Sequence, residues 1–136
     1  MSLLNIFDIA NSAMIAQSKK MQIHASNLAN SDSLTSKNGK LHPYIAKKVI
    51  LEFDNTKKSI FGGVKVKEII ENTTPLKKIY NPNSPIADSK GFSEISNVNI
   101  VTETISAIAA SRAYQANLEI LNTAKTMFLK MLTIGQ

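Results

Sequence analysis

The 136-residue sequence contains no cysteine and no tryptophan. Without cysteine there can be no disulfide framework, thiolate metal site or cysteine nucleophile, while the redox compartment stays open. Aromatic residues make up only 6% of the chain, so large rings cannot carry its core. Proline and glycine are scarce, and neither occurs between Gly91 and Gly135. No run approaches the ~18–20 apolar residues needed to span a bilayer. The opening stretch, MSLLNIFDIANSAM, has no basic n-region, and Asn5, Asp8 and Asn11 interrupt any hydrophobic h-region. A cleavable secretory signal is therefore not expected, and a chain of this kind would leave the cytoplasm by a route that does not read one.

Catalytic chemistry is equally thin. His24 and His42 are the only histidines. His24 falls on an apolar seam, where a packed or hydrogen-bonded imidazole is expected. His42 precedes Pro43 without a carboxylate or second histidine at metal-ligand spacing. The carboxylates are dispersed: Glu68 and Glu71 lie three apart, and Glu103 and Glu119 are far apart on one segment, so solvated or ion-paired roles are expected. FGGVK lacks the context of a phosphate-binding loop, no nucleophile elbow is present, and the sequon at Asn72-Thr73-Thr74 is unremarkable in an asparagine-rich chain. No catalytic, cofactor or metal site is expected, which points to a structural protein.

The formal charge of +6 raises a second reading, a basic architectural protein binding nucleic acid or anionic membrane. Residues 31–97 hold eleven lysines against seven acids, with Tyr44, Phe53, Phe61, Tyr80 and Phe92 among them. The lysines come as scattered pairs, such as Lys47-Lys48 and Lys57-Lys58, and never as a block. A solvated surface accounts for that distribution.

What the sequence does have is helical periodicity at both ends. Residues 1–30 carry a seam of Phe7, Ala10, Met14, Gln17, Met21, His24 and Leu28. A second seam of Ile6, Ile9, Ala13, Ala16, Lys20 and Ile23 lies one position away. A strict 3-4 seam is the narrow signature of a coiled coil, whereas a surface helix needs only one stripe. Ser2 or Asn5 can cap the start. Residues 98–136 repeat the pattern through Ile100, Thr104, Ala107, Ser111, Tyr114, Leu118, Leu121, Lys125, Phe128 and Leu132. The spacing predicts a helix of roughly 35 residues, about 50 Å long, terminated by Gly135.

The middle, residues 31–97, changes character. HPYIAKKVILEF and GGVKVKEII alternate like two strands, joined as a hairpin through DNTKKSIFGG. Residues 31–44 read as loop. The three prolines Pro75, Pro82 and Pro85 predict an extended, wrapping segment and not a core strand. The fold class is mainly α with a small β insert, the terminal helices pairing as a coiled coil. Two helices cannot hide all of these seams in each other, so other chains are expected to cover the remainder.

Asn27 and Asn30, in ASNLANSDS, stand near the end of the first helix. Asn30 can end a helix where glycine is absent. Asn27, a turn inside, can bond the backbone of an extended segment crossing the helix, or fix register against another helix as polar seam residues do. At the far end, SRAYQANLEILNTAK sets Arg112, Gln115 and Asn117 among small residues.

These stretches, with NPNSPIADSKGFSEISNVNIVTE and a closing LTIGQ, resemble the flagellar basal-body rod proteins, the proximal rod subunits in particular. The resemblance implies a non-enzymatic subunit of the hollow shaft between export apparatus and hook. It implies terminal helices in an inner coiled-coil layer, a β-containing portion outside, and uncleaved export through the flagellar type III route. The implied location is the basal body, beyond the inner membrane, and the implied partners are copies of the chain, other axial proteins and the export apparatus. Carried over by position, Asn27, Leu28, Ala29 and Asn30 at one end and Arg112, Tyr114, Gln115, Ala116 and Asn117 at the other are expected packing contacts. Phe7, Met14, Met21, Leu118, Leu121, Phe128 and Leu132 join them from the seams.

Overall fold

The computed structural model describes residues 3–37, 39–55 and 62–135. Ser2, Lys57-Lys58, Phe61 and the turn between the two expected strands lie outside them. The described chain is mainly helical, 49% helix against 26% strand, with a helix at each end and small strands between.

Helix α1 spans Leu3–Ala29 and helix α2 spans Ile100–Ile134. Asn5 lies inside α1 and does not cap it. At the other end of α1, both the amide N–H and the side-chain Nδ2 of Asn30 donate to the Ser26 carbonyl, at 3.1 and 2.9 Å. That satisfies an acceptor the last helical turn leaves open. Helix α2 opens on Asn99, whose side chain accepts the Thr102 N–H at 3.2 Å, and closes on Gly135, whose N–H donates to the Met131 carbonyl.

Between the helices lie three antiparallel strand pairs: β1 (Leu34–Lys37) with β2 (Lys40–Pro43), β3 (Lys47–Asp54) with β4 (Gly63–Glu71), and β5 (Lys77–Tyr80) with β6 (Phe92–Ile95). The β3–β4 pair is the one expected from the alternation. A register shift between Ile50 and Leu51 leaves Lys67 without an opposite number, a β-bulge that bends the ribbon. The other two pairs correct the loop expectation for residues 31–44 and for the proline-rich stretch. Each of their strands is only four residues long, too short for alternation to register. Pro75, Pro82 and Pro85 fall outside β5 and β6, so no ladder bond is lost to them. Gly91, at φ 78°, ends the long connection, and Tyr80 and Phe92 close it with an edge-to-face contact at 5.5 Å.

Helix α1 is the spine. It packs against α2 along one side and against β3 and β4 along another, while α2 packs against no other described element. The helices run antiparallel: His24 and Asn27 meet Glu103, and Ile6 shares a groove with Ala116 and Met127. Both expected seams of α1 reach α2, through His24 of the first and Ile6 of the second, while the hydrogen bonds to β3 and β4 come from Asn27 and Ser12, which lie on neither. On α2 the residues turned inward include Glu103, Ala107, Ala110, Tyr114, Asn117, Leu121 and Ala124, a 4-3 series, with Ser106, Ser111 and Ala113 half-buried beside it. It shares Ala107, Tyr114 and Leu121 with the expected seam, of which Ser111 is half-buried as well, and otherwise runs one position away, leaving Ile100, Thr104, Leu118 and Lys125 exposed.

Among the described residues the buried apolar side chains are Ala10, Ala16, Ala46, Ala110 and Ala124, with Pro43, and none is large. Small residues let the backbones approach but bury little apolar area. Many of the large side chains remain outside, Ile105, Ile108, Phe128, Leu129 and Leu132 among them. The accessible surface is 9718 Å² for 14.9 kDa, against about 7,000 Å² for a compact monomer of that mass. The fold is open, and its apolar surplus faces solvent.

Candidate assembly site

Among the described residues, the one large side chain with no solvent contact is Asn27, at 0% exposure. Its carboxamide is saturated. Oδ1 accepts the Lys47 N–H at 2.9 Å and the Tyr44 hydroxyl at 2.9 Å; Nδ2 donates to the Lys47 carbonyl at 2.8 Å and to Glu103 Oε2 at 2.9 Å. The amide meets both backbone groups of one residue, as a neighbouring strand would, and it also reaches the opposite helix.

Glu103 lies in the first turn of α2, where the helix dipole favours a carboxylate. Its Oε2 also receives His24 Nδ1 at 2.7 Å; because a carboxylate only accepts, Nδ1 carries the proton. His24 is therefore a hydrogen-bonded seam imidazole.

A second carboxamide works from the other side. Asn97 Oδ1 accepts the Ala46 N–H at 2.8 Å, and its Nδ2 donates to the carbonyls of Thr74 at 2.8 Å and Asn72 at 3.3 Å. A further tie lies along α1, where Ser12 Oγ accepts the Val64 N–H at 3.2 Å and donates to the Ile9 carbonyl. Gly63 is required beside it: a Cβ there would lie 2.6 Å from Ser12 Oγ.

The remaining candidate packing residues divide by exposure. Phe7, Met14, Met21, Leu28, Asn30, Tyr114, Asn117 and Leu121 are half-buried, while Ala29, Arg112, Gln115, Ala116, Leu118, Phe128 and Leu132 are exposed. Asn117 turns its Nδ2 onto the Ala113 carbonyl of its own helix at 2.8 Å. Met14 and Tyr114 line one open groove with Ile15 and Val66; Ile6, Ala116, Ile120 and Met127 line another. From Lys125 to Gly135 every residue of α2 is exposed.

Sequence reasoning passed over Glu103, Tyr44, Lys47, Asn97 and Ser12. For Glu103 a signal existed: it precedes Ala110, Asn117 and Ala124 at a spacing of seven. Tyr44, Lys47 and Asn97 act from extended segments, which have no helical period to read.

Strands β3 and β4 carry Lys47, Lys48, Lys65 and Lys67 against Glu52, Asp54, Glu68 and Glu71. The register sets Lys47 opposite Glu71 and Glu52 opposite Lys65, so the two strands carry matched opposite charges. Among the described residues no group of three His, Asp or Glu could hold a metal ion, and no helix is long and apolar enough to cross a membrane.

Comparison with known proteins adds two findings. Residues 7–35 match the family model described as flagella basal body rod protein, and residues 89–134 match that of the flagellar basal body rod FlgEFG protein C-terminal region. Over all 136 residues, and the full length of each relative, the chain is 60% identical to the flagellar basal-body rod protein FlgC of Buchnera aphidicola subsp. Baizongia pistaciae. It is 51% identical to the protein of that name from Salmonella typhimurium and 50% to that from Escherichia coli O6:H1, again over both full lengths.

Proposed function

Since this chain belongs to the flagellar basal-body rod proteins, we propose that its two terminal helices pair as a coiled coil and stack against those of neighbouring subunits to form the wall of the rod. The chain is a structural, non-enzymatic subunit of the proximal rod and resides in the flagellar basal body. Its neighbours are other copies of itself and other axial proteins. It reaches them through the flagellar type III export apparatus, across the inner membrane and uncleaved. Phe7, Met14, Met21 and Asn27 to Asn30 on α1, with Arg112, Tyr114 to Leu118, Leu121, Phe128 and Leu132 on α2, supply the packing contacts.

One observation carries this reading: an alanine core leaves the large apolar side chains of α2 uncovered, Leu132 at 55% exposure and Phe128 at 40%. A contiguous strip of that kind marks a surface that another protein covers. Binding of nucleic acid or anionic membrane through the insert gains no support, since the relatives of this chain are flagellar rod proteins by name.

The test is complementation. In a flagellated cell lacking its own proximal rod subunit, this chain is expected to restore rods and to co-purify with detergent-extracted basal bodies. Failure to enter the rod despite normal expression and secretion would overturn the stacking of the helices.

A further inference from the structure

Ala46 and Lys47, adjacent at the start of β3, are gripped on opposite edges. Asn97 takes the Ala46 N–H, and the Ala46 carbonyl accepts the Asn72 N–H at 2.6 Å. Asn27 takes both backbone groups of Lys47. The Asn27 amide serves Lys47 only in one of its two orientations, Oδ1 toward the N–H and Nδ2 toward the carbonyl. Flipped, it would set oxygen against oxygen. The other N–H of Nδ2 goes to Glu103, whose Oε2 is held in turn by His24. Glu103 does not touch β3, yet its acceptor rewards the amide orientation that β3 requires.

We infer that Glu103 is a positioning residue that acts through Asn27, making the docking of the β3–β4 hairpin on α1 conditional on α2 lying against α1. The arrangement is a latch. With α2 in place, the amide is oriented, Lys47 is paired, and the hairpin stands at a fixed angle to the helices. With α2 withdrawn, Asn27 loses one of the partners that orient it. It keeps only Lys47 itself and the Tyr44 hydroxyl, which can rotate to suit either amide orientation. The base of the hairpin is loosened while its ladder stays closed through Asn97. Ser12 supplies an internal control, because it ties Val64 to α1 with no contribution from α2. The inference concerns coupling inside one subunit and does not rest on what the subunit assembles with.

Amide hydrogen exchange on the full-length chain tests it. Glu103→Ala is expected to speed exchange at the Lys47 N–H by roughly tenfold or more while Val64 stays within about twofold of the unsubstituted chain. Glu103→Gln, which retains a side-chain acceptor for Asn27 Nδ2, is expected to restore most of the protection at Lys47. If Glu103→Ala fails to fold, Glu103→Asp, which withdraws the acceptor by one methylene, is expected to give the same ordering of the two amides. Unchanged exchange at Lys47, equal acceleration at Lys47 and Val64, or a glutamine variant no closer to the unsubstituted chain than alanine would each overturn the latch.

Discussion

The Asn27 side chain pairs with Lys47 as one residue of a strand pairs with another, accepting its N–H at 2.9 Å and donating to its carbonyl at 2.8 Å. Residues 20 positions apart are joined this way at a point where α1, β3 and α2 converge. A helix residue closes the open edge of a strand, and the groups it satisfies are buried with it.

Replacing Asn27 therefore leaves several buried polar groups without partners. Asn27→Ala is expected to destabilise the chain by roughly 2–4 kcal/mol. Asn27→Asp is expected to cost at least as much despite its matching shape, because a carboxylate cannot donate to Lys47 and sits against Glu103. Urea unfolding measures both; a loss within ~0.5 kcal/mol for either substitution would contradict the saturated amide.

The phase of the α2 seam can be read from two alanines. Ala110 is buried against α1 and Ala109, its neighbour, is exposed. Ala110→Leu is expected to cost about 1–3 kcal/mol by overpacking, and Ala109→Leu to stay within about 0.5 kcal/mol. Thermal melting followed by circular dichroism compares them, and equal effects would place the seam elsewhere.

Ser12 and Gly63 form a close pair whose coupling has a sign. Gly63→Ala brings a methyl group 2.6 Å from Ser12 Oγ, and Ser12→Ala removes the acceptor of the Val64 N–H. Each single change is expected to destabilise, and the double variant to lose less than their sum by roughly 0.5–2 kcal/mol, since the clash is relieved once Oγ is gone. A strictly additive cycle would argue against contact.

The exposed strip separates folding from assembly. Leu132→Asp and Leu118→Asp change side chains that face solvent in the single chain, so its stability is expected to move by no more than about 0.5 kcal/mol. Incorporation into basal bodies is expected to fall at least tenfold. Leu121→Asp, half-buried against α1, is expected to reduce both. The measurements are urea unfolding of the purified chain and recovery of each variant in isolated basal bodies.

Periodicity placed the helices well. The 1–30 pattern corresponds to Leu3–Ala29, the 98–136 pattern to Ile100–Ile134, and the alternation of Val64 and Val66 to β4. It missed β1, β2, β5 and β6, whose four residues give alternation too little length; β5 and β6 also pair across a long connection, whereas the Asn38-Gly39 pair between β1 and β2 is a hairpin signal that periodicity does not read. Asn27 stood out because a carboxamide among alanines near a helix end has no local use. Glu103 did not, since a carboxylate early in a helix already has one.

By itself, the sequence determined two long terminal helices and their apolar faces, because hydrophobic spacing is a local property. Tertiary structure decided which of two seams one position apart α2 presents to α1, and what Asn27 holds. Those choices depend on partners such as Glu103, 76 positions away, and no pattern along the chain encodes a contact made at that distance.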